Sequence, residues 1–104
     1  MKRLIRKERA DADVQKAIDN FILTAPEYAL EFVDSLEQAY RHIQQHPGSG
    51  SPRYAHELNL PGLRFWRCRR FPYLVFYVEL VDRIEIWRVF HSHRDIPASL
   101  QNDG

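Results

Sequence analysis

The sequence predicts an α+β fold in the order β-α-α-β-β-β. A helical hairpin packs on one face of a small, mostly antiparallel sheet of four strands. Three observations lead there. Phe71 to His91, FPYLVFYVELVDRIEIWRVFH, carries the densest run of branched and aromatic residues in the chain, which suits a pleated surface. Residues 11–45 carry two apolar stripes at helical spacing. A short break, TAPE, separates them, so the helices form an αα-hairpin whose stripes need the sheet as a partner.

The elements follow in order. Lys2 to Arg9 is short and basic around Leu4 and Ile5, and it reads as an edge strand guarded by its charges. Asp11 to Leu23 is the first helix, with Val14, Ala17, Ile18, Phe21 and Ile22 on its apolar face. Thr24 is placed to cap the next helix, with Glu27 at the capping-box position and Pro26 in the first turn. That helix runs from Glu27 to Gln45, with a stripe of Ala29, Phe32, Val33, Leu36, Ala39, Tyr40 and Ile43. HPGSGSP, residues 46–52, is a loop. Arg53 to Pro61 is ambiguous.

Leu63 to Arg70 reads as a strand, with Leu63 and Phe65 on one face and Arg64, Trp66, Cys68 and Arg70 on the other. Phe71-Pro72 turns into the central hairpin. Its strands are Tyr73 to Glu79 and Arg83 to Phe90, joined by a turn at Leu80 to Arg83. In the second strand Ile84, Ile86, Arg88 and Phe90 alternate with Glu85, Trp87 and Val89. Pro97 to Leu100 fits one helical turn, and the closing QNDG is expected to fray. The 104 residues suit one domain with a core over about residues 3–97.

Composition excludes several classes. The hydrophobic share of 44% is too high for disorder. The single cysteine, Cys68, permits no internal disulfide. The first ten residues lack an apolar signal core, and no apolar run of membrane-spanning length occurs, so a cytoplasmic location with no membrane partner is expected. The net charge of +1 conceals an asymmetry. Residues 11–45 hold seven acids against Lys16 and Arg41, whereas residues 53–94 hold eight arginines against four acids. Arginine's planar fork suits phosphates and carboxylates.

No P-loop, GxGxxG, HExxH or CxxC motif is present. His91 and His93 share a strand face but lack a third ligand, so no metal and no cofactor is expected. Arg64, Arg67, Arg70, Arg88, His91 and Arg94 are the candidates for target or nucleic-acid contact. Trp66 and Trp87 lie among them in sequence and are the candidates for a protein interface. If the site cuts RNA, His91, Arg64 and Arg94 are its catalytic set. Arginines would hold the scissile phosphate, and His91 or Glu57 would move the proton.

The element order, the stretch RRFPYLVFYVELVDRIEIWRVFHSHRD, and the closing pattern of His91, Arg94 and Asp95 resemble the RelE/ParE toxins of bacterial type II toxin–antitoxin systems. The likeness spans about Arg3 to Pro97 and is densest in Arg70, Phe71-Pro72-Tyr73, Phe76-Tyr77, Val89-Phe90-His91 and Arg94-Asp95, with Phe90 in place of the usual leucine. The resemblance implies a growth-inhibiting toxin held inactive by a small acidic antitoxin. The closing pattern leans to the ParE side, whose members poison DNA gyrase without catalysis. The RelE side implies a metal-independent mRNA endonuclease acting in the ribosome. A non-toxic interaction module is the third reading.

Overall fold

The computed structural model describes residues 1–101. Four strands, β1 (Arg3–Arg6), β2 (Leu63–Arg67), β3 (Tyr73–Glu79) and β4 (Arg83–His91), form one sheet in the order β1-β4-β3-β2. The β2–β3 and β3–β4 pairings are antiparallel. β1 instead runs parallel to β4, so the sheet is mixed. The helices α1 (Glu8–Thr24) and α2 (Ala29–Gln45) form the hairpin expected between β1 and β2. No helix among the described residues is long and apolar enough to cross a membrane.

The hairpin covers one sheet face. Phe32, Leu36, Ala39 and Ile43 of α2 and Ala10 and Ala17 of α1 are buried against Val75, Tyr77, Ile84, Ile86 and Val89. The other face is covered more thinly. Short helices α3 (Arg53–Glu57) and α4 (Ile96–Gln101) contribute Tyr54, Ala55, Ile96 and Leu100 over Leu63, Leu74, Phe76, Val78 and Phe90. The ambiguous segment after the loop is therefore a single helical turn and a bend, not a strand. Gln101, expected to fray, closes α4, and the rest of that expectation, residues 102–104, lies outside the described residues.

Several local expectations are corrected. α1 begins three residues earlier than its acidic start suggested, at Glu8, and Ile22 is 55% exposed rather than on the buried stripe. Thr24 does not cap α2. Its hydroxyl donates back to the Asn20 carbonyl at 2.8 Å in the last turn of α1, the common alternative for a helical threonine. Glu27 sits in a 3-10 turn, Pro26–Tyr28, ahead of α2. β2 stops at Arg67, short of the expected Arg70, which itself adopts a left-handed backbone (φ 70°) outside any strand.

The β4 alternation also breaks. Tyr77 pairs with Ile86 but Phe76 pairs with Arg88, so Trp87 is an extra residue in a β-bulge. Ile84 and Ile86 therefore face the helices, whereas Phe90 faces the thin layer and Val89 takes the helix side.

Tyr77 fixes the loop after α2. Its hydroxyl donates to the Pro47 carbonyl at 2.7 Å and accepts the Gly50 N–H at 3.0 Å. A Cβ on Gly50 would overlap that hydroxyl and lie 2.9 Å from the Phe65 carbonyl oxygen. Gly50→Ala should cost about 1–3 kcal/mol by overpacking. Tyr77→Phe should cost a similar ~1–3 kcal/mol, because it leaves buried backbone groups unpaired. Urea denaturation of each variant checks both values.

Candidate functional site

Strand pairing gathers the basic residues at one end of the sheet. Tyr73 stands opposite His91, and the Ser92 N–H donates to the Pro72 carbonyl at 2.7 Å. The β2–β3 turn, with Arg67, Arg69 and Arg70, is thereby set beside the end of β4, with His91, His93 and Arg94. Arg67, Arg69, Arg70, His93 and Arg94 are all exposed. Lys16 and Asn20 of α1 join Tyr73, His91 and Arg94 around a recess of about 250 Å³.

His91 is held on two sides. Its ring lies edge-on to Tyr73 at 5.2 Å and to His93 at 5.1 Å, and its Nδ1 accepts the His93 N–H at 3.1 Å. Burial, then the neighbouring His93 and Arg67, push its pKa below the ordinary histidine value. The favoured form is therefore a neutral ring whose Nδ1 lone pair is already engaged. In that tautomer the proton sits on Nε2, so the free nitrogen is a donor and not a base.

The other candidates are not all in this place. Arg64 lies opposite Tyr77 on β2, and its guanidinium donates to the Gly50 carbonyl at 2.7 Å. It is separated from His91 by about 13 Å along the strand direction and two strand spacings, about 10 Å, across it. Arg64, His91 and Arg94 therefore do not converge on one phosphate. Glu57 is exposed at the end of α3, in the layer over the opposite sheet face.

Arg88 is buried in a two-pronged ion pair with Asp13 of α1, Nε to Oδ2 at 2.7 Å and a terminal nitrogen to Oδ1 at 2.8 Å. The same Oδ2 accepts the Val89 N–H at 3.0 Å. The Arg88 and Arg94 guanidinium carbons both lie within 5 Å of the Phe90 ring centre, at 4.5 and 4.7 Å.

The two tryptophans are on opposite faces. Trp66 stacks on His42 of α2 with ring centres 3.8 Å apart. Trp87 donates to Glu85 at 3.0 Å and lines a groove of about 580 Å³ on the thin-layer face with Leu58, Leu60 and Leu100. Lys7, Arg9 and Arg88 stand on the rim of that groove.

Among the described residues no group of three or more His, Cys, Asp or Glu could hold a metal ion. Burial pushes the Cys68 thiol up to about 11, which leaves it a poor nucleophile. Sequence reasoning passed over Lys16 and Asn20, and it left Arg69 and His93 out of the contact set. Lys16 and Asn20 follow Asp13 at helical spacing, which puts the three on one face of α1. Only the ion pair to β4 shows where that face points.

A family model described as the ParE toxin of the type II toxin–antitoxin system, parDE, matches residues 4–96. Among solved structures, the chain is similar to one titled the chromosomal ParDE TA system from P. aeruginosa. The identity is 26%, the match covers 88% of this chain and 96% of that one, and the TM-score is 0.74. No curated protein matches.

Two outcomes are expected from this geometry. Arg88→Ala strands the buried Asp13 carboxylate and should destabilise the fold by about 3–5 kcal/mol, measured by chemical denaturation. His91 carries a depressed pKa, so the unfolded chain takes up its proton first as pH falls. Its contribution is complete above the ordinary histidine value and declines as pH drops toward the folded value. His91→Gln should lower the pH sensitivity of Tm between pH 7.5 and 5.5, a range set around the ordinary histidine value of about 6.5.

Proposed function

The chain belongs to the ParE toxin family, and from that premise we propose that it inhibits growth by binding DNA gyrase rather than by cutting RNA. It is the toxin of a ParE-like type II toxin–antitoxin system, which implies a cognate antitoxin. The observation that carries the gyrase reading is the state of His91. Its Nδ1 is occupied by the His93 N–H, and Arg64 is anchored to Gly50, far along the sheet. A general base must present a free lone pair to the proton it takes. The basic end instead offers exposed charges and donors, which is what a contact surface needs.

In this reading Arg67, Arg70, His91 and Arg94 touch the target, together with Lys16. Arg64 and Arg88 hold the scaffold that carries them. The antitoxin is a small acidic protein encoded beside this chain, and Trp87 with its groove is the part of its docking surface that remains open. Trp66, stacked on α2, supports that surface from the other face.

Purified toxin tested on gyrase and on translating ribosomes separates the classes. The expected result is loss of supercoiling with accumulated cleaved DNA, reduced at least about tenfold in Arg94→Ala, an effect of hot-spot size, with folding intact. Gyrase left unaffected while mRNA is cut at codons in the ribosomal A site would overturn the proposal.

A further inference from the structure

The helical hairpin ends in an apolar tip. Six large hydrophobic side chains are exposed among the described residues, and four of them, Ile22, Leu23, Tyr28 and Leu30, sit at this turn. Leu23 is 84% exposed and Leu30 79%. Folding gains nothing from leaving them in water, and a cluster of exposed apolar groups marks an interaction surface.

The tip is held firmly. At its root Phe21 and Phe32 lie 5.1 Å apart, and both meet Phe71 edge-on at 5.6 Å. The backbone of the turn is paired, with the Ala25 N–H on the Phe21 carbonyl and the Tyr28 N–H on the Ala25 carbonyl. A preorganised knob loses little freedom when it is bound.

The tip also continues the basic recess. Phe32 packs on Tyr73 at 4.9 Å, and Tyr73 lines the recess with His91 and Arg94. Lys16 and Asn20 line it from α1, and Leu23 follows them seven and three residues later, on the same helix face. Leu23 therefore stands about 10 Å beyond Lys16 along α1. Charge changes along that line. Residues 17–40 hold five acids, Asp19, Glu27, Glu31, Asp34 and Glu37, and no lysine or arginine.

We propose that the hairpin tip is a docking knob for the target protein itself. Leu23 and Leu30 seat in an apolar pocket of gyrase, about 10 Å from the carboxylates that take Lys16 and Arg94, so the toxin grips enzyme protein and not the DNA the enzyme carries. This deepens the gyrase reading above and rests on it. The chemistry of the tip selects protein. Leucines give a base no ring to stack on, and the acids repel a phosphate backbone and an anionic bilayer alike. Two copies meeting tip to tip would set these acids against each other.

The test is binding to purified gyrase without DNA, by calorimetry. Leu23→Gln and Leu30→Gln keep helix propensity and remove the apolar surface. Together they should weaken binding at least about tenfold, an effect of hot-spot size, with Tm unchanged because both side chains already lie in water. Leu23→Met with Leu30→Met keeps the apolar volume and should bind as the unaltered chain does. If the double glutamine variant binds at full strength while Arg94→Ala does not, the proposal is overturned and the gyrase reading stands. Binding that requires DNA overturns it in favour of nucleic acid. Co-sedimentation with phosphatidylglycerol–phosphatidylethanolamine vesicles, lost in the double glutamine variant, overturns it in favour of a lipid surface. Self-association lost in that variant overturns it in favour of a second copy. If the unaltered chain does not bind gyrase in any form, the gyrase reading falls and takes this proposal with it.

Discussion

The architecture depends on one carboxylate. β1 has four residues and β4 has nine, so β1 covers β4 only as far as Ile86. Beyond that point the edge of β4 would be left with an unpaired N–H at Val89, which is nearly buried. Asp13 supplies the missing acceptor, and in doing so it becomes a carboxylate with a side chain only 9% exposed. Such a charge is tolerated in the interior only with a well-aligned partner. Arg88 is that partner, held by two hydrogen bonds. A loop at this edge could have hidden the amide. A helix anchored here does more, because it fixes the direction in which α1 crosses the sheet.

That anchor explains how much of the molecule was legible in the sequence. The central hairpin and the α2 stripe declare themselves through periodicity, since their apolar residues are set by one burial face each. The bulge does not. Reading period two straight through Trp87 puts Phe90 beside Ile86, whereas the extra residue sends it to the other face. Nothing local to Glu85, Trp87 or Arg88 marks a bulge, because it is the demand for Arg88 near Asp13 that makes one useful. Thr24 and Glu27 have the spacing of a capping box. The Pro26–Tyr28 turn nevertheless takes up the residues that would have formed it, a choice made by how the hairpin closes.

The candidate site divides along the same line. Arg67, Arg70, His91 and Arg94 fall at one end because the Phe71-Pro72 turn folds one strand against the next, and that much follows from chain order. Lys16 and Asn20 join them only because Asp13 docks α1 on β4, a contact spanning 75 residues between Asp13 and Arg88. Trp66 and Trp87 were paired in the sequence by type alone. The register separates them to opposite faces, so one residue supports α2 while the other lines an open groove. Residue type identified the chemistry available, but strand register decided which groups could act together.

The separation of surfaces bears on how a toxin of this shape is silenced. β1 pairs with Arg83 to Ile86, and the basic end begins at His91, which is about 13 Å farther along the sheet, the rise of the β3 residues from Tyr77 to Tyr73 that pair across the bulge. The proposed contact residues Arg67, Arg70 and Arg94 and the Trp87 groove are therefore separate surfaces, and a partner that covers one need not cover the other. Arg88 stands on the rim of the groove and also holds Asp13, so the interaction that orders the fold also borders the groove.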